Sequence, residues 1–506
     1  MPTPGARGRR RIPARIVVPS RNDPLLRRFT GLIGGPLGRR TAPGIVDPGF
    51  FTIERVLVLL TTLAAVIAVL VKSPCRAEGW TTPEQFYRAC YSDWPVLFQS
   101  RGLGDGVFPF FSADALFEYP VLLGLIAGIT AWLVPGTEAT AESALVYFDI
   151  NALFITGAWI VTVLATARMS GRRPWDAAMV AVAPGIILAG TINWDLWAVM
   201  LAALAMLAFA RNQVGLAGVL IGLGAATKLY PLLIFGAILV LAIRTGKYRP
   251  YVVSLGTAVA AWLAVNLPIA LINFEGWSYF FTFSSGRPAG FSSPWFAYNV
   301  IAERIGFPAL EAGVVNISAL AVFALACAGI AVLAVTAPRR PRMAQLVFLI
   351  VAAFILTNKV YSPQFVLWLV PLVALAHPRW RDFLLWQLAE ALHWWAVWLY
   401  LAKDTSGGDS ANNLDEPYYV MAIVVHMVAV IYIMAQVIHS MWRPQEDPVR
   451  RRDADDPQGG PFDHAPDQFT WRDLRRSPVR LAKLETTESS MNGHLDSAHR
   501  PEVDRS

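Results

Sequence analysis

Two lysines stand in short polar segments between stretches that are otherwise apolar. Lys228 lies in "AATKLYPLL" and Lys359 in "TNKVYSPQF", each two positions before a tyrosine. A charge at membrane depth costs on the order of 2.5 to 3.5 kcal/mol and generally faces a polar cavity or a partner. A lone lysine can extend to the headgroups, but two matching segments favour convergence on one anion. Phosphate is the expected ligand, with hydrogen bonds from Tyr230, Tyr361 and Gln364.

Five polar residues near predicted spans are candidates for acid–base chemistry or substrate binding. Asp93, in "YSDWPVLF", is a candidate general base if the aromatic rings around it desolvate it, although a loop carboxylate is also often a solvated charge. Glu118 is a second candidate site carboxylate, and Tyr119 beside it is a candidate substrate contact. An acid followed by proline is equally typical of a helix N-terminus. Asn193 and Asp195 are further candidates for substrate binding, with helix capping as the alternative.

An all-helical membrane framework must hold these residues. Of the 506 residues, 55% are hydrophobic and 16% are charged, which excludes an ordinary soluble globular protein. Because a spanning helix needs about 20 mainly apolar residues, we predict an all-α polytopic membrane protein with about 10–12 transmembrane helices. The predicted spans are residues 55–71, 116–134, 145–167, 175–190, 194–210, 214–243, 251–272, 312–335, 344–356, 365–376, 383–401 and 418–439.

The sequence divides into three parts. Residues 1–53 are basic, with ten Arg and one Asp among the first forty, and the positive-inside rule places them in the cytoplasm. Residues 54–440 form the transmembrane domain, including an extracytoplasmic loop at 73–117 whose aromatic-rich short helices are expected at the membrane interface. Residues 441–506 mix both charges with Pro and Gly, which predicts a disordered cytoplasmic tail.

Basic connectors between spans predict the orientation of the chain. Placing "RTGKYR", "APRRPR", "HPRWR" and both termini inside leaves the loop of Lys359 and residues 73–117, 273–311 and 403–417 outside. The segment "ARMSGRRP", residues 167–174, also favours the inside. Simple alternation of spans places it outside unless a helix between Glu118 and Lys228 is re-entrant.

Cysteine, histidine and arginine positions add further expectations. Cys75 and Cys90 both lie in the first outer loop, where an oxidising exterior makes them candidates for a disulfide. Cys and His show no metal-ligand spacing, so no metal site and no cofactor are predicted. Arg101 and Arg287, in outer loops, are further candidates for contact with phosphate.

Four sequence elements together resemble a known family. They are "YSDWPVLFQSRGL", "EYPVLLG", "GLGAATKLYPLL" and "NKVYSPQFVLWLVPL". The resemblance covers roughly residues 55–376 and is to the actinobacterial polytopic glycosyltransferases of family 87. It extends to the wider GT-C superfamily, whose members use polyprenyl-phosphate sugars.

The resemblance implies a catalytic Asp in the first outer loop, matched here by Asp93. It also implies a polyprenyl-phosphate sugar donor, with mannose favoured over arabinose or glucose, and transfer with inversion to a lipid or glycan acceptor of the cell envelope. In this hypothesis Lys228 and Lys359 hold the departing lipid phosphate, and the candidates for acceptor or sugar binding are Tyr119, Asn193 and Asp195. Retention through Asp93 and Glu118 is the less favoured scheme.

Other classes of protein remain open from the sequence. A transporter or lipid-linked-sugar flippase is the chief alternative, because broken helices and charges at membrane depth also mark transport sites. An assembly scaffold leaves the two Lys-Tyr elements unexplained. Nucleic acid is not an expected partner, since the basic residues adjoin membrane spans and anionic lipids explain them. The expected location is the plasma membrane, with the active site on the extracytoplasmic side.

Overall fold

The computed structural model describes residues 16–34, 50–112, 116–136, 138–451 and 454–468. Within these ranges all regular secondary structure is helical, and this confirms the all-α fold class. The α-helices are α1 (Pro19–Asn22), α2 (Pro24–Gly34), α3 (Ile53–Val71), α4 (Ser73–Glu78), α5 (Glu84–Tyr87), α6 (Asp93–Ser100), α7 (Val121–Trp132), α8 (Ala141–Met169), α9 (Ala178–Ala181), α10 (Pro184–Ala189), α11 (Asp195–Ala210), α12 (Val214–Thr227), α13 (Ile234–Thr245), α14 (Arg249–Ile272), α15 (Phe274–Gly286), α16 (Pro294–Arg304), α17 (Ala312–Thr336), α18 (Met343–Thr357), α19 (Val366–Ala376), α20 (Trp380–Ser406) and α21 (Glu416–Trp442).

Five described helices are long and apolar enough to cross a membrane unaided: α3, α8, α14, α17 and α21. Their lengths of 19 to 29 residues match the hydrocarbon thickness at about 1.5 Å per residue. Other apolar helices of 10–17 residues pack among them, including α11, α12 and α18. Together these helices indicate a polytopic membrane protein.

The helix bundle has two ends, which we call the site face and the tail face. The tail face carries residues 443–451 and 454–468, and the site face carries α4 to α6. Helices α3 and α8 run antiparallel between them, because Glu54 pairs with Arg168 at 2.8 Å at one end while Arg76 pairs with Asp149 toward the other. The N-terminal segment also reaches the tail face, where the Trp380 backbone N–H donates to Asp23 at 3.1 Å.

The charge of residues 167–174 and the simple alternation of spans predict opposite sides for this segment, and helix α7 resolves that conflict. This helix has 12 residues and packs against the first loop, with Phe110 beside Gly124, Phe108 beside Gly128, and Trp132 4.4 Å from Phe108 between ring centroids. It therefore does not run to the tail face. Because α7 stays near the site face, α8 carries the chain back, and residues 167–174 reach the tail face as their charge predicts.

Two predicted spans are broken in the structure, and for the longer one, residues 214–243, the interruption at "ATKLYP" had indicated either a kinked helix or a broken pair. The prediction of one helix over residues 175–190 is wrong: a 3-10 turn, α9 and α10 replace it, because Pro184 lacks an N–H and Ala183 before it is extended. The predicted span at 214–243 is a broken pair, since α12 ends at Thr227 and Lys228 is extended. A 3-10 turn at Tyr230–Leu233, which includes Pro231, then leads into α13.

The prediction of a disordered tail is wrong for residues 441–468 as far as they are described. Helix α21 runs to Trp442, and the segment after it pairs with buried arginines. Arg342 is fully buried, donates to Asp447 at 2.8 Å and also donates to the carbonyl oxygens of Leu375 and Ala376. The charges that suggested disorder are thus ion-pair partners. Residues 469–506, and residues 1–15 and 35–49 of the basic N-terminal segment, lie outside the described residues.

Further ion pairs attach the tail to the ends of other helices. Arg340 donates to Asp455 at 2.6 Å and to Asp467 at 3.1 Å, and Asp467 also accepts from Arg244 at 3.0 Å. Gln458 donates to the carbonyl oxygen of Met169 at the end of α8 at 2.8 Å. These contacts bring the predicted inside connectors onto one face.

We expect Asp447→Ala to destabilise the protein strongly, because it leaves the buried Arg342 guanidinium without its counter-ion. Removing one partner of a buried pair typically costs about 3–5 kcal/mol. Thermal unfolding in detergent, followed by tryptophan fluorescence, should show a midpoint several degrees below that of Glu446→Ala, a half-buried neighbour whose partner His439 is exposed. Equal midpoints for the two variants would contradict the anchoring role.

Candidate active site

Helix α6 places Asp93 at its first residue, on the site face. The Asp93 N–H donates to the carbonyl oxygen of Ile192 at 2.7 Å, and the Ser92 hydroxyl donates to the carbonyl oxygen of Thr191 at 2.8 Å. The start of α6 is therefore fixed to the loop between α10 and α11. A disulfide joins Cys75 and Cys90 immediately upstream, so the short helices of this loop have a covalent constraint as well as their packing.

The Asp93 carboxylate receives hydrogen bonds from a polar surround. The Tyr119 hydroxyl donates to Asp93 Oδ2 at 2.9 Å, and Tyr91, Asn193 and Lys228 also act on the carboxylate. Desolvation raises the pKa of Asp93 above its usual value, and these four groups, which favour the charged form, oppose that rise. An acid with a raised pKa is a better proton acceptor than a solvated aspartate.

Lys228 lies beside this carboxylate because the break after α12 turns it inward. Its ammonium is 3.2 Å from Asp195 Oδ2 and 5.2 Å from the centroid of the Tyr119 ring. Asp195, the first residue of α11, is fully buried, and its Oδ1 accepts from the Trp368 indole at 2.7 Å. Asn193 Oδ1 accepts from the Asp195 N–H at 3.0 Å. The structure thus brings Asp93, Lys228 and Asp195 into one polar cluster.

Glu118 and Arg101 form a two-bond pair at the edge of this cluster. Arg101 Nε donates to Glu118 Oε2 and a terminal nitrogen donates to Oε1, both at 2.8 Å. Both carboxylate oxygens of Glu118 are therefore engaged. The pair fixes Glu118 next to Tyr119, and it also satisfies much of the charge of Arg101, which the sequence had suggested for phosphate.

Tyr230 contributes to the site through the stacking of its aromatic ring. The ring stacks on Trp368 with centroids 4.3 Å apart and planes at 10°, and the Phe365 ring also stacks on Trp368, with centroids 4.0 Å apart. The Phe365 ring in turn lies 6.0 Å from the Lys228 ammonium. These rings form an apolar wall beside the lysine.

Lys359 belongs to a different group of contacts. Its ammonium donates to the carbonyl oxygens of Ser285 and Arg287 at 3.0 and 3.1 Å, and burial, with the nearby Arg287 charge, lowers its pKa. The structure therefore ties Lys359 to the end of α15, whereas Lys228 pairs with Asp195. Gln364 is buried in the 3-10 turn before α19.

A large groove opens next to this second lysine. The cavity, of about 1100 Å³, is lined by α15, α16, the 287–291 connector, Tyr400 and Glu416, and we call it the outer groove. Tyr400 lies two positions after Trp398, whose ring is 5.0 Å from that of Tyr91. Because Tyr91 also acts on Asp93, the groove and the Asp93 cluster border α20 at neighbouring positions but on different faces of this helix.

Lys72 is a site residue that the sequence reasoning treated only as the edge of a span. It is fully buried, and its ammonium donates to the Tyr91 carbonyl oxygen at 2.7 Å. Burial lowers the pKa of Lys72 to about 7, while the charge of Asp93 acts in the opposite direction. The signal available in the sequence was the position of Lys72, directly after an apolar span.

Glu390, His393 and His426 are a second missed set. Their potential ligand atoms lie within 4.8 Å of one another, and all three side chains are buried. Glu390 and His393 are three positions apart on α20, a spacing that places both on one helix face. That Glu-x-x-His spacing was visible in the sequence, but the partner His426 lies on the next helix.

Comparison with protein families gives one match. Residues 117–357 match the model of Glycosyltransferase family 87. The matched segment is just under half of the chain and contains Glu118, Asp195 and Lys228, whereas Asp93 precedes it. The match indicates a glycosyltransferase, an enzyme that takes a sugar donor and an acceptor. No curated protein matches the chain.

We expect Lys228→Met to lower the stability of the protein by about 3–5 kcal/mol, because it leaves the buried Asp195 carboxylate unpaired. Adding Asp195→Asn to that variant removes the uncompensated charge, and the double variant should recover much of the lost stability. A double-mutant cycle of unfolding midpoints in detergent measures this coupling. Strictly additive losses would show that the two side chains do not interact.

Proposed function

We propose that this chain moves a sugar from a polyprenyl-phosphate donor to a cell-envelope lipid or glycan acceptor, with Asp93 as general base. The observation that carries the proposal is the placement of Asp93, a carboxylate hydrogen-bonded by Tyr119, in one cluster with the lysine Lys228. A base and a cation in one partly desolvated site are the two groups that glycosyl transfer from a phosphate requires.

The reaction follows from this arrangement. Asp93 accepts the proton of the acceptor hydroxyl as its oxygen forms a bond to the anomeric carbon. The bond from that carbon to the phosphate oxygen breaks, and its electron pair leaves with the lipid phosphate. Lys228 stabilises the negative charge on that phosphate, a contribution of several kcal/mol when the donor is preorganised.

The spacing of the two groups supports inversion. The Tyr119 ring lies between them, since its hydroxyl contacts Asp93 and its face lies 5.2 Å from the Lys228 ammonium. A sugar bound against this ring has the base on one side of its anomeric carbon and the leaving phosphate on the other. Retention needs a free second carboxylate as nucleophile, and both oxygens of Glu118 are occupied by Arg101.

The ion pair at Lys228 has a defined role in this proposal. Asp195 holds the ammonium in place before donor binding and shares it with the phosphate afterwards. Asp195 is itself oriented by Trp368, so the lysine is positioned by rigid neighbours. Arg101 is assigned to positioning Glu118 and Tyr119, instead of the phosphate contact suggested by sequence.

The outer groove is assigned to the acceptor. Its lining combines the charged side chains of Arg287, Glu303 and Arg304 with aromatic rings, which suits a polar glycan or lipid headgroup better than a polyprenyl chain. Lys359 supports its wall through the carbonyl groups of the α15 end. By family resemblance the donor sugar is mannose, and the reaction takes place at the outer face of the plasma membrane.

Asp93→Asn should reduce sugar transfer by about 10²- to 10⁴-fold, the usual contribution of a general base. The measurement uses membranes supplied with labelled polyprenyl-phosphomannose. Asp105→Asn, an exposed acid of the same loop, is the matched control and should retain transfer. Unchanged transfer by the Asp93 variant would remove this residue as the base.

The same assay separates the enzyme from a transporter. An unmodified protein that moves labelled donor across vesicles without transferring its sugar to any acceptor would be a transporter or flippase. Transfer that depends on Asp93 supports the enzyme.

The pH dependence of transfer should report the ionisation of Asp93. Because the base acts only when deprotonated, activity should fall as pH drops through its pKa, which burial places above that of a free aspartate. Tyr119→Phe removes a hydrogen bond that favours the charged form, so this acidic limb should move to higher pH. Rates measured across pH 4 to 8 test this, and an unmoved limb would exclude control of the base by Tyr119.

A further inference from the structure

The buried Glu390, His393 and His426 make an unusual group between α20 and α21. Their exposed fractions are 3%, 1% and 0%. The imidazole rings of His393 and His426 stack with centroids 3.7 Å apart and planes at 8°, and Nδ1 of His426 lies 3.6 Å from Glu390 Oε2. An acid and two imidazoles therefore converge in an apolar interior.

The imidazole nitrogens of both histidines lack hydrogen bonds of normal geometry within the described residues. His426 also lies against the backbone of Ser292 without forming such a bond. A buried polar group left without a partner costs about 1–3 kcal/mol, so four such nitrogens are hard to explain by packing alone. A ligand that accepts imidazole lone pairs accounts for them.

We propose that Glu390, His393 and His426 bind one divalent transition-metal ion, of which Zn²⁺ is the representative. Two imidazoles and one carboxylate are a ligand set that zinc favours, with a fourth position left for water or another group. Mg²⁺ and Ca²⁺ prefer oxygen ligands throughout. Because the lone pairs of an imidazole lie in its ring plane, binding one ion requires the two rings to turn out of their parallel stack until their nitrogens converge.

Surrounding groups support the carboxylate in the way that metal sites require. The Trp386 indole donates to Glu390 Oε1 at 2.9 Å, which orients Glu390 while its second oxygen faces His426. Tyr361 lies against the same site, with its hydroxyl 3.5 Å from Glu390 Oε1 and its ring 4.5 Å from that of His426. Such outer contacts fix the orientation of ligands.

The ion would join α20 to α21, and Tyr361 packs the loop before α19 against the same site. It also acts one layer below the outer groove, because the His393 ring stacks near Tyr419, and Tyr419 stacks on Tyr400 of the groove wall at 4.5 Å. The site is therefore a positioning site for the groove. None of its three ligands belongs to the Asp93 cluster, and its test does not depend on the proposed transfer reaction.

The experiment measures zinc in the full-length protein, purified in detergent with a tag that contains no histidine. After equilibration with buffered Zn²⁺ and removal of free ion, elemental mass spectrometry should find about one zinc per chain. His426→Asn and Glu390→Gln should each bind zinc at least about 10-fold more weakly. His439→Asn, an exposed histidine on the same helix, is the matched control and should keep the ion.

A second readout separates loss of the ion from loss of the fold. Glu390→Gln preserves the size of the side chain and an oxygen for the Trp386 indole, and its helix content by circular dichroism should match that of the parent. Co²⁺ should give the visible absorption of a four-coordinate site in the parent and not in this variant. Parent protein without bound zinc, or a Glu390→Gln variant that binds zinc and Co²⁺ as the parent does, overturns the proposal.

Discussion

Burying charge inside an apolar helix bundle is the constraint on which the rest of this structure depends. A charge removed from water needs a partner within the protein, and removing one partner leaves the other at a high cost in free energy. On the site face Lys228 pairs with Asp195, and on the tail face Arg342 pairs with Asp447. The first pair borders a reactive carboxylate, whereas the second closes the opposite end of the bundle. One requirement thus gives two results, a candidate reaction centre and a structural anchor.

The fold class was predictable because apolar segments dominate the sequence. The breaks were partly predictable: Pro231 marked the interruption after α12, whereas Pro184 was overlooked within an otherwise apolar run. Helix α7 could not be distinguished from a crossing by composition, since its short length becomes visible only when its ends are located against the first loop. The tail was misjudged because a segment rich in both charges resembles disorder until the arginines that bind it are known.

The sequence also identified most members of the candidate site but not how they group. Asp93, Tyr119, Asp195 and Lys228 come from different parts of the chain, and the structure brings them together around one aromatic ring. The similarity of the two Lys-Tyr elements suggested one shared anion, yet Lys359 binds backbone carbonyl groups instead. Similar local sequences do not determine where a long side chain points. Its direction depends on which neighbouring backbone groups still need a hydrogen-bond partner.

The attachment of the tail has a consequence for the order in which the chain is made. Arg244, Arg340 and Arg342 leave the ribosome before Asp447, Asp455 and Asp467 exist. During insertion these arginines therefore carry unpaired positive charge, which is the property that sets the orientation of neighbouring helices. Their partners arrive only after α21, the final described helix, has been synthesised. The same guanidinium groups are thus available first as the positive charge to which the positive-inside rule applies, and they then become internal ties of the finished molecule.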